Sequence, residues 1–304
     1  MSIVVAVVGP TAVGKSRLGA LLARTFNGEV VSADSRQVYR YMDIGTAKPT
    51  AAERAAVPHH LIDVVDPDAD FSVALYQSLA MEAIRDIMRR HRVPIVVGGS
   101  GLYVWSLVEG WEIPRVRPDA EFRKRLEEKA AAEGAEALYR ELESVDRAEA
   151  ASIDPRNVRR VIRALEIHHS GGAGKNHTRG KVPPPFETLI LGLTADRRRL
   201  YEMIDRRVDG MIEAGLVEEV NGLLRRGYGP ALPSMSSVGY REICQFISGR
   251  MDLTTAVQRM KFETHRFARQ QYAWFRLDDR RIHWFDIEDD LEDRVLKMAE
   301  ESLK

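Results

Sequence analysis

The sequence predicts an α/β fold: a parallel sheet flanked by helices, interrupted by an all-helical insertion. Three observations carry this reading. Short apolar runs alternate with helix-periodic segments through the first third of the 304 residues. From about 118 to 170 the texture turns charged and rich in Ala and Glu, with no strand-like run. At 188–193 strand-like sequence returns, so the α/β core resumes after the insertion. The expected division is a core of 1–117 with 186–304 and a helical insertion of 118–185.

Taken in order, 3–8 (IVVAVV) is β-branched and continuously apolar, as a strand buried on both faces should be. GPTAVGKS follows at 9–16 and fits G-x-x-x-x-G-K-[ST], the phosphate-binding loop. Gly9 and Gly14 permit the tight turn, Pro10, Thr11, Ala12 and Val13 complete the cradle, and Lys15 adds a point charge. Ser16 offers a hydroxyl to Mg²⁺, and a helix at 17–26 would present its N-terminus to the anion. Strands are expected at 29–32, 61–65 and 94–97, with a helix at 72–91 capped by Ser72. The insertion should hold two or three helices, the last beginning near Pro155. The stretch 171–185 reads as a long polar loop. Helices at 197–214, 216–225, 240–248 and 253–276 then precede a strand at 282–285, and the acidic stretch 286–293 reads as a solvated loop and helix start.

Composition excludes several classes. The 45 basic and 45 acidic residues cancel, so no global field announces a nucleic-acid partner, although charge can be segregated locally. The single cysteine, Cys244, excludes a disulfide framework and a multi-cysteine zinc site and suits a reducing cytoplasm. No apolar run approaches the length of a membrane span.

The loop alone does not choose among phosphate chemistries. Hydrolases of this type end a second apolar strand in a carboxylate that organises Mg²⁺ and water. Here that strand ends in Gly98-Gly99-Ser100-Gly101, with no acid. The acid nearest by topology is Asp34, directly after the second strand, with Ser35 and Gln37 beside it. Asp34 could accept a proton from a nucleophile, cap a helix, or serve as an outer partner of Mg²⁺. His59 and His60 are adjacent in an extended segment, point opposite ways and read as structural or site-lining rather than metal ligands.

GPTAVGKS, DSRQVY, MDIGTAKP, PHHLID and GGSGLY together resemble the bacterial tRNA dimethylallyltransferase (tRNA isopentenyltransferase) family. DPRNVRRVIRALEI, GYRE and FARQQYAWFR continue the resemblance over essentially the whole chain. It implies a P-loop NTPase-like core and transfer of a dimethylallyl group from dimethylallyl diphosphate to N6 of adenine 37. The acceptors would be tRNAs reading codons that begin with U, and the products N6-isopentenyladenosine and diphosphate. It also implies a Mg²⁺ ion held by Ser16, Asp34 as base, and Ser100, Arg123 and Arg241 in the catalytic set. A monomer in the cytoplasm, working on the tRNA anticodon stem-loop with no membrane, is expected.

RNA contacts carried over by the resemblance are Asp34, Ser35, Arg36, Gln37, Ser100, Arg123, Arg159, Arg160, Arg163, Gly239, Tyr240, Arg241, Arg269, Trp274 and Arg276. Arg156, Arg159, Arg160 and Arg163 would form a ridge on one helix, with a solvated, ion-paired face as the plain alternative. The region 261–276 interleaves cations with aromatics, which suits unpaired RNA. Yet Phe267, Trp274 and Phe275 are spaced as a core stripe, and Phe275 is expected to be buried. Three positions depart from the family pattern: Ser100 replaces threonine, and His265 and Gln270 replace arginines. The rival reading is a small-molecule kinase, which would share the loop but not the Arg-rich insertion. A third is a noncatalytic, nucleotide-gated RNA-binding protein.

Overall fold

The computed structural model describes residues 3–114, 116, 118–172, 180–287 and 290–303. Strands β1 (Ile3–Val8), β2 (Gly28–Ser32), β3 (His59–His60), β4 (Val93–Val97), β5 (Glu187–Thr194) and β6 (Ile282–Asp286) form one sheet. Every pairing is parallel, in the order β3-β2-β4-β1-β5-β6. β1 is central, with Val5 opposite both Ile95 and Leu189. Helices cover both faces of such a sheet, which is why β1 is apolar throughout. The carboxyl ends of β1, β2 and β4 are therefore neighbours.

The first four helices are α1 (Lys15–Thr25), α2 (Ala51–Ala56), α3 (Val73–Arg89) and α4 (Gly101–Val108). Then come α5 (Ala120–Glu133), α6 (Ala135–Val145), α7 (Arg147–Ala150) and α8 (Val158–Ile167). After β5 follow α9 (Arg197–Glu213), α10 (Leu216–Arg225), α11 (Tyr240–Ile247), α12 (Leu253–Trp274) and, after β6, α13 (Leu291–Leu303). The chain divides into two compact units: Met1–Val108 with Pro184–Lys304, and Glu109–Pro183. In the first, sheet residues such as Val7, Ile95 and Leu191 share one core with Leu22 of α1, Ile204 of α9 and Val295 of α13. The second packs Phe122, Leu126, Leu138, Leu142, Val161 and Leu165 of α5, α6 and α8 into a core of its own. Among the described residues no helix is long and apolar enough to cross a membrane.

Four expectations are corrected here. The third strand is 59–60, not 61–65, because Leu61 and Asp63 take φ of 63° and 56° and leave the extended region. Asp63 is held there by Lys48 at 2.6 Å and Arg54 at 2.7 Å. Two helices escaped the sequence: α4 is short and apolar almost all round, so its period is hidden, and α2 is a single capped turn and a half. The insertion carries α7 besides its three longer helices. Helix α8 starts at Val158 behind an Asn157 cap, so Pro155 and Arg156 lie in the preceding turn. Of the expected loop at 171–185, residues 173–179 lie outside the described residues. Ser72 does cap α3, accepting the Leu75 N–H at 3.2 Å.

At the opposite end of β2, Glu29 is 1% exposed and surrounded by cations. Its carboxylate accepts from Arg90, from Arg92 at 2.8 Å and from His60 Nε2 at 2.7 Å. The Arg90 hydrogen bonds, against burial, hold its pKa at about 2. Its stabilising contribution is thus complete above the ordinary value of 4.5 and is lost as pH falls toward 2. Glu29→Gln would remove the charge shared by Arg90 and Arg92, whose side chains are each 39% exposed. Solvent offsets part of that loss, so we predict a destabilisation of about 1–2 kcal/mol at pH 7 in urea unfolding, and a smaller difference from wild type at pH 3.

Candidate active site

Loops at the carboxyl ends of β1, β2 and β4 build the site, where an open parallel sheet places its ligand crevice. After β1, helix α1 begins behind Gly14 with no side-chain cap, so its first-turn N–H groups are available to an anion. Lys15 Nζ donates to the Pro10 carbonyl at 2.5 Å. Burial, and next the Arg207 guanidinium, lower the Lys15 pKa to about 7, with Asp34 opposing. Arg207, on α9, is itself pushed below its usual value by burial, again opposed by Asp34.

After β2, Asp34 Oδ1 accepts the backbone N–H of Arg36 at 2.8 Å and of Gln37 at 3.4 Å. The turn fixes the carboxylate and leaves Oδ2 without a hydrogen-bond partner among the described residues. Asp34 thus caps a turn rather than the helix expected, and its free oxygen remains able to accept a proton. After β4, Ser100 Oγ accepts the Ser35 N–H at 3.0 Å, which keeps its own hydrogen for another acceptor. Gln271 of α12 ties two of the loops together. Its Oε1 accepts the Thr11 N–H at 2.7 Å and its Nε2 donates to the Gly99 carbonyl at 2.9 Å.

Two cavities meet over these loops. The larger, about 500 Å³, is lined by Thr11, Ala12, Gly14, Lys15, Ser16 and Gln37, with Met203 and Arg206 from α9. The smaller, about 280 Å³, is lined by Ser35, Arg36, Ser100 and Gly239. They share Thr11, Asp34, Gly99, Arg207, Phe267 and Gln271. Asp34 and Arg207 thus stand on the common wall as the carboxylate and guanidinium facing both spaces.

The other predicted residues fall elsewhere. Tyr240, expected among the RNA contacts, is fully buried, donates its hydroxyl to Glu219 at 2.5 Å and lines neither cavity. Arg241 is forked onto Glu242 and lines neither cavity. Arg269 donates to the Tyr201 hydroxyl at 2.6 Å, and Arg276 pairs with Asp278. Trp274 is 41% exposed at the end of α12, while Phe275 is fully buried. His265, one of the three departures, stacks on Tyr201 at 4.0 Å and lies 2.9 Å from Asp205.

Within the helical unit, Arg123 is committed to Glu166 through Nε at 2.9 Å and Nη2 at 2.8 Å. Arg163 also binds Glu166. Although burial opposes it, these bonds and the Asp119 N–H keep the Glu166 carboxyl below its ordinary range. Arg156 lies outside α8 and pairs with Asp154 at 2.8 Å, so the expected four-arginine ridge is not formed. Arg159 and Arg160 are exposed on α8 and have no acidic partner among the described residues.

Sequence reasoning missed Arg207 and Gln271, and placed Phe267 in a core stripe although it is 44% exposed on the shared wall. Arg207 sits in an unremarked Arg-rich helix and carried no motif. Gln271 lies within FARQQYAWFR, the one signal in the sequence that could have found it. A second expectation follows from Lys15. Above about pH 7 it is neutral and must gain a proton to meet a diphosphate, so affinity should fall as pH rises through 7. We predict proton uptake on diphosphate binding at pH 8, read by calorimetry in two buffers of different ionisation heat. Lys15→Met should abolish that uptake and weaken binding about tenfold or more, without lowering thermal stability.

The comparisons with known proteins agree with one another. A family model described as IPP transferase matches residues 37–278, four-fifths of the chain. The tRNA dimethylallyltransferase of Roseiflexus sp. (strain RS-1) is 56% identical over 90% of this chain and 89% of its own length. The crystal structure of a tRNA isopentenylpyrophosphate transferase from Bacillus halodurans is 41% identical, with a TM-score of 0.73 over 99% of this chain and 96% of that one. A eukaryotic dimethylallyltransferase described as acting on tRNA superposes with a TM-score of 0.85 at 28% identity, over 100% of this chain and 80% of that one. With its parallel sheet, its phosphate loop and these matches, the chain belongs to the IPP transferase family.

Proposed function

We propose that this protein is a tRNA dimethylallyltransferase. It moves the dimethylallyl group of dimethylallyl diphosphate to N6 of adenine 37, in tRNAs reading codons that begin with U. The observation that carries the reading is the pair of cavities meeting at Asp34 and Arg207, one of them floored by the phosphate loop. The larger takes the donor, with its diphosphate on the loop N–H groups, Lys15 and Arg207. The smaller takes the flipped adenine against Ser35, Arg36 and Ser100. Extruding that base from an anticodon loop costs a few kcal/mol, on the order of one lost stacking step.

The reaction balances on these groups. Adenine N6 attacks the allylic carbon, the carbon–oxygen bond breaks, and its electron pair leaves with the diphosphate. Asp34 Oδ2 takes the N6 proton as N6 gains positive charge. Oδ1 is occupied by the turn, which aims the carboxylate without adding another base. Growing charge on the diphosphate is met by Lys15, Arg207 and the start of α1. Phe267 helps to exclude water, which would otherwise compete for the allylic carbon.

Ser16, exposed in the first turn of α1, lines the donor cavity. Among the described residues no group of three His, Cys, Asp or Glu side chains could form a protein cage for a metal. This donor set suits a Mg²⁺ ion ligated mainly by diphosphate oxygens, with Ser16 as its protein ligand. When bound, the ion would offset charge on the leaving group. Arg159 and Arg160 serve as phosphate contacts of the helical unit, whereas Arg123 and Arg163 first hold Glu166. The protein works as a monomer in the cytoplasm, where it meets its tRNA substrate.

Single-turnover transfer of labelled dimethylallyl diphosphate to a stem-loop bearing adenines 36 and 37, with Mg²⁺ and without ATP, tests the reaction. Label should appear on N6, and Asp34→Asn should slow transfer about 10²–10⁴-fold with little change in donor affinity. Failure of transfer alongside ATP-dependent phosphorylation of a small acceptor would mean a kinase instead. Replacing Arg160 by Ala should weaken stem-loop binding and reduce its logarithmic salt slope by about 1.

A further inference from the structure

The segment between α-carbon positions 42 and 49 is a wall of both cavities: Gly45 and Thr46 face the smaller, Ala47 and Pro49 the larger. Its backbone is irregular: Tyr41, just before it, and Ala47, within it, are held at φ of 65° and 46°. Such conformations persist only where surrounding contacts impose them. From the cavity side, Gln37 Nε2 donates to the carbonyls of Thr46 and Ala47, both at 3.3 Å. Buried Lys48 adds a second hold, its Nζ donating to the Tyr39 carbonyl and the carboxylates of Asp43 and Asp63.

One carboxylate does more than these. Glu219 of α10 accepts three successive backbone N–H groups, from Asp43 at 2.9 Å, Ile44 at 2.7 Å and Gly45 at 3.2 Å. It also accepts the hydroxyl of fully buried Tyr240. Burial beside Glu219 pushes the Tyr240 phenol far up its range, so it stays protonated and donates. The fit is close: a Cβ on Gly45 would lie 2.4 Å from the Tyr240 ring. Three N–H groups converging on one oxygen pair form an anion nest that neutral side chains fill poorly.

We propose that Glu219 is a positioning residue for the acceptor base, setting the Gly45–Thr46 wall of the smaller cavity through this nest with Tyr240 as its brace. The inference rests on the transfer reaction above and reassigns Tyr240 from RNA contact to support. Glu219 lines neither cavity and holds Asp43, Ile44 and Gly45, the end of the segment that faces the smaller one, so its loss falls first on the acceptor side. The diphosphate cradle depends on the loop after β1 and on Gln271, neither of which contacts Glu219.

Steady-state transfer with Glu219→Gln and Tyr240→Phe tests this, together with amide exchange at Asp43, Ile44 and Gly45. Glu219→Gln should raise KM for the stem-loop at least tenfold and lower kcat, with KM for dimethylallyl diphosphate unchanged within twofold. The three amides should exchange faster, and Tyr240→Phe should move every readout the same way but less. If Glu219→Gln does not fold, Tyr240→Phe carries the test with the same split between the two KM values. Equal rises in both KM values, or faster exchange with an unchanged stem-loop KM, would reduce Glu219 to a general structural role and overturn the inference. An active wild type is the control. If it transfers no label, the reaction itself fails and the inference with it.

Discussion

The site depends on one buried amide. Gln271, 4% exposed, reaches from α12 across the carboxyl end of the sheet and binds the loops that follow β1 and β4. Those loops come from strands adjacent in the sheet but separated by some 90 residues of chain, and nothing local relates them. The amide has one acceptor and one donor group to offer, and each is used on a different loop. Losing it would strand a loop N–H and a carbonyl at about 1–3 kcal/mol each. The closeness of the tie is visible at Gly99, where any Cβ would fall 2.1 Å from the Gln271 nitrogen.

Around that tie the charges are arranged for a ligand rather than for one another. Lys15 and Arg207 crowd the same cavity, and burial disfavours the charge of each. Asp34 is the countering carboxylate, but its Oδ1 is engaged with the backbone of its own turn. An arrangement of two disfavoured cations beside an uncapped helix start is stabilised by binding a polyanion. The neutral total charge of the chain is therefore no guide to its local field. The same holds for the helical unit, where Glu166 gathers Arg123 and Arg163 while Arg159 and Arg160 stay exposed.

Much of this was legible in the chain. The central strands, the phosphate loop and the helices α9 to α12 follow from apolar periodicity and turn chemistry, which act over a few residues. Asp34 was legible because a parallel sheet brings the end of β2 beside the end of β1. Helix α4 was not, because a helix buried nearly all round has no polar face to reveal its period. The third strand was misplaced because Asp63 answers to Lys48 and Arg54 rather than to strand propensity.

By itself the sequence determined the α/β class, the phosphate-binding element, the candidate base and the family resemblance, since each is written in contiguous residues. Only the tertiary structure decided which cations share the cavity, that Phe267 is wall rather than core, and that Tyr240 is buried support. It alone joined Glu219 to a loop some 175 residues away. The physical reason is range: a strand, a turn or a helix cap is set by near neighbours. The partner of a buried charge or amide is whatever group the fold brings within about 3 Å, and sequence spacing says nothing about that.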